Sequence, residues 1–371
     1  MLSIFPSYNG RVESVEVIVG GGGIIGLSVA LELARKGLRV RVLEKGRAMS
    51  EASWAAAGML SAHDPSHPAE LAELAELSIR LYPEYLSAVE ELSGHQVRIR
   101  THGAVMTGGN RGRFAAISAE EAQRRIPGLS TEGRSYWWME ETSLDPRDLC
   151  VALPLAAVAA GVDLQQPMEV LSVRSHGDSV EVTTGSGKVR AGAFVNCCGA
   201  WAGKVQHRDL ENQPAATVEP RKGQIFRVRM PSSLDLGYVL RSPEVYLVPR
   251  GAGLIVIGAT EERVGFDRRV DPLVIDGLRA RAAELWPPIA SASVVESWSG
   301  LRPGTSDGLP LIGGAGRPHC WVATGHFRNG ILLAPATGRI VRQLIEGRPP
   351  AVPLAAFAPG RVSDKVPSAA L

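Results

Sequence analysis

The opening of this chain constrains its fold more than any other stretch. Val15-Glu16-Val17-Ile18-Val19 is a short apolar run of strand length. Gly20-Gly21-Gly22-Gly23 follows at once, and Gly26 comes soon after. Leu27, Ala30, Leu31 and Ala34 then recur at helical spacing, and Gly37 suits a helix C-terminus. Leu38 to Glu44 reads as a second strand that ends on a carboxylate. Strand, tight turn, helix and strand make one βαβ unit. Within Gly21-x-Gly23-x-x-Gly26, the first glycine permits the turn and the second admits a pyrophosphate close to backbone. The third allows tight helix–strand packing. Glu44, about 20 residues further on, is placed to accept hydrogen bonds from a ribose 2′-hydroxyl. An acid there disfavours a 2′-phosphate, so the expected ligand is a dinucleotide other than NADP.

The 371 residues carry a net charge of +2, with no long basic stripe and no interleaving of aromatic and basic residues. That excludes a nucleic-acid binder. The most apolar long run, Leu149 to Val162, is broken by Pro154 and falls short of the about 20 residues that span a bilayer. Met1 to Ser14 lacks the pattern of a signal peptide. Cys150, Cys197, Cys198 and Cys320 form no CxxC, and read as small core residues in a reducing cytoplasm, without metal or disulfide.

Further along, Ala69 to Leu92 reads as a helix, and Asp148 to Gly161 as a capped one. Trp137 to Pro146 reads as loop and strand. Val170–Val173, Val180–Thr184 and Ala193–Cys198 read as strands. Gln224–Met230, Glu244–Val248 and Leu254–Ile257 suggest an antiparallel sheet, with a helix over Leu273–Leu285. Elements of one domain therefore bracket a β-rich insertion. From Pro359 onward there is little patterning. His63 and His67 follow an alanine-rich segment and read as solvent-facing or lid residues.

Two late segments carry chemistry. Gly300-Leu301-Arg302-Pro303-Gly304-Thr305 sets an arginine between turn formers. Thr324 to Ala336 is a glycine-bounded loop, Gly325 to Gly330, running into an apolar helical stretch. The start of such a helix offers unpaired N–H groups and a positive dipole end. Ser53-Trp54-Ala55-Ala56-Ala57-Gly58-Met59-Leu60 adds small residues over which a flat ligand can approach backbone.

Together these segments resemble the glycine oxidase branch of the D-amino acid oxidase-like FAD-dependent amine oxidases. Tyr246-Leu247-Val248-Pro249-Arg250, Gly258-Ala259-Thr260 and Asp307-Gly308 belong to the same likeness, which covers roughly residues 15 to 350. The resemblance implies a mixed α/β fold, with a Rossmann-like FAD-binding domain and an interleaved antiparallel substrate domain. Residues 15–80, 145–205 and 305–350 would form the first, 81–144 and 206–304 the second, and 351–371 a tail. It implies non-covalent FAD, held by Gly21, Gly23, Ile24, Ile25, Gly26, Glu44 and Lys45, by Ala52, Ser53, Ala57, Gly58 and Met59, and by the backbone of Val170. His326, Phe327, Arg328, Asn329, Gly330, Ile331 and Leu332 would lie beside the isoalloxazine, with His326 contributing backbone and not titrating. Arg302 would bind the substrate carboxylate, helped by Tyr246 and Arg328.

The activity so implied is oxidation of glycine or another small amine or D-amino acid by hydride transfer to flavin, with no acid–base residue required. An oxo acid, ammonia and hydrogen peroxide would result, in a homotetramer linked to thiamine thiazole synthesis. A D-amino acid dehydrogenase that passes electrons to a quinone or carrier is one alternative, and a non-catalytic flavin-binding protein another. Loops 60–68 and 205–217 do not match distinctively and would shape substrate entry.

Overall fold

The computed structural model describes residues 15–108, 114–207, 217–231 and 234–362. Two nine-stranded sheets organise them. The first grows from the opening unit. Strand Val15–Gly20 lies between Val40–Leu43 and Gly187–Asn196, parallel to both. Asp163–Gln165 extends the sheet in parallel beyond Val40–Leu43. Gly187–Asn196 forks. Its first half pairs antiparallel with Ser179–Thr184, and its second half pairs parallel with Cys320–Thr324.

The continuous apolar run in Val15–Gly20 is explained by burial on both faces, the usual condition of parallel strands. Val17 and Val19 join Val40, Val42, Ala193 and Val195 in one core with helices Ile24–Ala34, Ala72–Ser93, Pro146–Ala159 and Gly330–Ile345. Ile18, Leu43 and Phe194 point the other way, onto Val173, Val180 and Val182 of an antiparallel ribbon. Helix Ile24–Ala34 is apolar nearly all round because sheet and helices enclose it. The expected boundary at residues 80 and 81 falls inside helix Ala72–Ser93, which packs on these same helices through Leu74, Tyr82, Leu86 and Val89.

The second sheet runs Ser293–Gly304, Glu219–Arg229, Leu254–Gly258, Tyr246–Gly251, Val239–Arg241, Ile99–Thr107, Tyr136–Leu144, Met59–Leu60. Helix Pro272–Leu285 covers one face, setting Ile275 and Leu278 against Phe226 and Leu247. Ile225, Val248, Val256 and Trp298 line the opposite face, with Trp54, Met59 and Tyr246 packed on them.

Several expectations change. The segment around Arg302 is not a turn but the end of strand Ser293–Gly304. That strand is at the sheet edge, where Pro303 is tolerated because no second neighbour needs its missing N–H. The helix expected from Asp148 starts at Pro146, capped by Asp145, whose carboxylate accepts the Arg147 N–H at 3.0 Å. The strand expected from Ala193 begins at Gly187. Pro359–Val362 is a short 3-10 helix, not an unpatterned tail, and Arg361 reaches back to Asp307 at 2.9 Å. Residues 363–371, and 208–216 of the 205–217 loop, lie outside the described residues.

Candidate active site

A cavity of about 550 Å³ takes its walls from both sheets. At one end is the glycine turn. Gly21 has φ +98°, and a Cβ there would stand 2.4 Å from the Cys197 carbonyl oxygen. A Cβ on Gly26 would stand 1.9 Å from the Gly21 oxygen. These two glycines let turn, helix and strand close on one another. Gly26 does not itself line the cavity, whereas Gly21, Gly23, Ile24 and Ile25 do. The Glu44 carboxylate accepts N–H bonds from Gly22 at 2.7 Å and Gly46 at 2.8 Å. A carboxylate has about four acceptor positions, so these bonds orient Glu44 and leave capacity for a ligand. Ser53 Oγ accepts the Ile24 N–H at 2.9 Å and so fixes the helix start. Lys45 and Val170 line the same end. Lys45 Nζ lies 3.1 Å from the centre of the Trp201 ring, and burial pushes its pKa down.

The wall formed by Ala52, Ala57, Gly58 and Met59 needs its small residues for packing as well. A Cβ on Gly300 would meet Ala55 Cβ at 2.5 Å. Trp298 donates to the Ala55 carbonyl at 3.3 Å, and Arg250 donates to that of Ala57. The second sheet thereby holds this segment in place.

Residues His326 to Leu332 form the facing wall. The Phe327 N–H donates to the Pro303 carbonyl at 2.9 Å, clasping this loop to the strand that carries Arg302. His326 Nε2 and Thr337 Oγ1 are 3.0 Å apart, and burial pushes the ring pKa down to about 3. The ring is neutral at physiological pH and holds the loop to its helix. Helix Gly330–Ile345 begins at this wall, and the side chain of its N-cap residue, Asn329, makes no capping bond. Its positive end therefore faces the cavity through Gly330.

Arg302 and Tyr246 complete the cavity. Arg302 Nη1 donates to the Thr260 carbonyl at 3.0 Å, and its side chain hydrogen-bonds the Tyr246 hydroxyl. Burial lowers the Arg302 pKa, partly offset by Tyr246, and raises that of Tyr246. Both remain in their usual forms at neutral pH, a cation and a neutral hydroxyl. Each rests on a glycine that sequence reading did not single out for this. A Cβ on Gly223 would lie 2.3 Å from the Arg302 guanidinium, and one on Gly258 would lie 2.6 Å from the Tyr246 hydroxyl oxygen. Arg328 is exposed and donates to Ser66 Oγ. It also borders a side pocket of about 160 Å³ shared by Asp64, Arg241, Tyr246 and Arg302.

One cluster had no sequence signal. Arg241 donates to Glu141 at 2.7 Å and to Asp64, and all three line the main cavity. They come from three distant segments, so only the tertiary fold unites them. Burial raises the Asp64 pKa, but Arg241, His67 and Ser66 outweigh it and hold the carboxyl well below its usual range. Burial pushes Glu141 up to about 7. His67, expected to be a solvent-facing or lid residue, lines the cavity, with its side chain bonded to that of Asn329. His63 is exposed, 4.0 Å from Glu76.

No group of potential metal ligands, and no helix long and apolar enough to cross a membrane, exists among the described residues. The four cysteines are free. The residues present fit FAD. The glycine turn leaves the backbone approachable, Glu44 keeps acceptor capacity, small residues form one wall, and an uncapped helix start forms another.

Comparison with known proteins agrees. The DAO family model, described as FAD dependent oxidoreductase, matches residues 16–344. The glycine oxidase of Geobacillus kaustophilus is 35% identical, over 95% of this chain and 98% of that protein. Its crystal structure superposes with a TM-score of 0.87 at 33% identity, covering 93% of this chain and 98% of the other. The bifunctional protein ThiO/ThiG of Synechocystis is 34% identical over 93% of this chain, which spans only 54% of that longer protein. A match of this extent, on a fold with this cradle and wall, establishes that the chain belongs to the DAO family of FAD-dependent oxidoreductases.

Proposed function

We propose that this protein is a glycine oxidase, acting on glycine and other small amines or D-amino acids. The observation that carries this reading is the placement of Arg302 and Tyr246 in the same cavity as the glycine turn and the His326–Leu332 wall. FAD held there would supply a two-electron acceptor for the hydride of the substrate α-carbon, with O2 as the final oxidant. The protein's share is positioning and exclusion of water. The Arg302 fork pairs with the substrate carboxylate, and Gly223 leaves room for the guanidinium behind it. Tyr246, neutral and braced by Gly258, offers its hydroxyl to the same carboxylate. Arg328 adds positive charge at the mouth. The start of helix Gly330–Ile345 supports negative charge on the nearby ring. The imine product hydrolyses to an oxo acid and ammonia.

The remaining assignments share this proposal. Glu44, the glycine turn, Lys45 and Val170 hold the adenosine and pyrophosphate end, and Ala52, Ser53, Ala57, Gly58 and Met59 with the facing loop hold the ring. The first sheet serves mainly FAD and the second mainly substrate. Supply of iminoglycine for the thiazole of thiamine fits relatives named glycine oxidase and ThiO/ThiG, and a cytoplasmic homotetramer is part of the same proposal.

An amine panel with a peroxide readout tests the proposal. Glycine or another small amine should give peroxide in step with oxo acid. Flavin reduction without peroxide would instead favour a dehydrogenase using a quinone or carrier, and an inert flavin with every amine would favour a non-catalytic binding protein.

A further inference from the structure

Arg302 accounts for the carboxylate of an amino acid, but the substrate enters as a zwitterion, and its ammonium must lose a proton before the α-carbon can release a hydride. Few groups at this end of the cavity can take that proton. Arg241, Arg302 and Arg328 are cations. Tyr246 is a neutral hydroxyl, Asp64 is held ionised against Arg241 with Ser66 bonded to it, and His67, its side chain bonded to that of Asn329, is made a weaker base by burial.

Glu141 differs from all of these. It stands on strand Tyr136–Leu144, whose Ser143 pairs with Met59 of the small-residue wall. It is 3% exposed and lines the main cavity with Arg302 and Tyr246. Its Oε2 accepts from Arg241 at 2.7 Å, but its Oε1 is buried with no hydrogen-bond partner. An unpaired buried carboxylate oxygen costs stability, and here it occurs in the cavity that also holds Arg302 and Tyr246. Arg241 also binds Asp64, so one guanidinium is shared by two acids and leaves Glu141 incompletely neutralised.

We propose that Glu141 is the proton acceptor for the substrate ammonium, held in place by the Arg241–Asp64 pair. This rests on the amine-oxidising reading above. The step is balanced. The ammonium N–H bond breaks, its electron pair stays on nitrogen, and the proton forms an O–H bond to Glu141. A carboxylate and an ammonium become a carboxylic acid and a neutral amine, with no redox change. Glu141, raised by burial to about 7, titrates where such an acceptor is useful. The charged groups acting on it are Arg241 on strand Val239–Arg241 and Asp64 on the 61–68 loop, and His67, Tyr246, Arg302 and Arg328 share the cavity.

The test compares Glu141→Gln and Glu141→Asp with the wild-type holoenzyme. General-base loss predicts that Glu141→Gln lowers kcat/KM about 100-fold or more and removes the acidic limb near pH 7 from its pH profile. Glu141→Asp should keep a limb at reduced rate. A second readout needs no turnover. Glycolate has the carboxylate but no amine, and its binding can be followed by the flavin spectrum. Wild-type affinity for glycolate should fall as pH rises through the Glu141 titration, and Glu141→Gln should abolish that dependence. Wild-type rates and an intact acidic limb in Glu141→Gln, or the same glycolate profile in both proteins, would overturn the proposal. If no amine reduces the flavin at all, the amine-oxidase reading fails instead, and the glycolate profiles still report on Glu141.

Discussion

Arg302 is held at its back by the Thr260 carbonyl and beneath by a bare glycine, so its guanidinium has one direction left to serve. Removing it should be felt by substrate far more than by flavin. A hydrogen bond to a charged partner is worth about 1.5–3 kcal/mol, so Arg302→Ala should lower kcat/KM about 100-fold, mainly by raising KM. Steady-state kinetics on flavin-loaded protein would show it. Gly223→Ala makes a sharper test, because it leaves every polar group in place. The added methyl would overlap the guanidinium and force Arg302 aside, at a typical overpacking cost of about 1–3 kcal/mol. Flavin content should stay near wild type while KM rises, and an unchanged KM would show that the guanidinium position is not critical. Arg302 and Tyr246 could be read from the sequence because they sit in distinctive stretches. Gly223 could not, since its meaning depends on a side chain 79 positions away.

Helix Gly330–Ile345 contains Pro335, which has no N–H to offer the Ile331 carbonyl one turn earlier. Tyr82, from helix Ala72–Ser93, supplies the missing donor, its hydroxyl reaching that carbonyl at 2.5 Å. One helix thus repairs another at the level of the candidate flavin wall. Tyr82→Phe orphans a buried carbonyl and should cost about 1–3 kcal/mol, seen as a lower Tm in thermal unfolding. No loss of Tm would mean that water or a neighbour replaces the hydroxyl. Elements with clear local boundaries, such as Ile24–Ala34 between its glycine turn and Gly37, were legible in the sequence. Strand Ser293–Gly304 was not. Gly300, Pro303 and Gly304 imitate a turn, and only edge position and a glycine-on-alanine contact explain why they extend a strand. Strand Ile99–Thr107 carries a clear strand function but little alternation, and register with its neighbours decides it.

At the scale of the molecule, the Asp64–Arg241–Glu141 network ties the 61–68 loop to two strands of the second sheet. Its two acids pull stability in opposite directions with pH. Asp64 is depressed, so its contribution is present above the ordinary carboxylate range and is lost as pH falls through its lower folded value. Glu141 is raised to about 7, so folding is favoured less as pH climbs from the ordinary range toward that value. Asp64→Asn should therefore lower Tm at neutral pH, by at most about 3 kcal/mol of stability, with the gap to wild type closing in acid. A gap that persists unchanged in acid would remove the ion pair as its cause. This network was invisible in the sequence because its members are separated by 77 to 177 positions of unrelated pattern, and no local rule joins them. The glycine turn, by contrast, was legible because its strand, turn, helix and acid are contiguous.

The central claim is that the cavity places an amine's α-carbon against a bound flavin. Anaerobic mixing of the purified holoenzyme with glycine, followed by absorbance, tests this most directly. The expected result is bleaching of the flavin bands, with Arg302→Ala needing far more glycine for the same bleaching. Flavin that stays oxidised in the presence of glycine and of every other small amine or D-amino acid would contradict it.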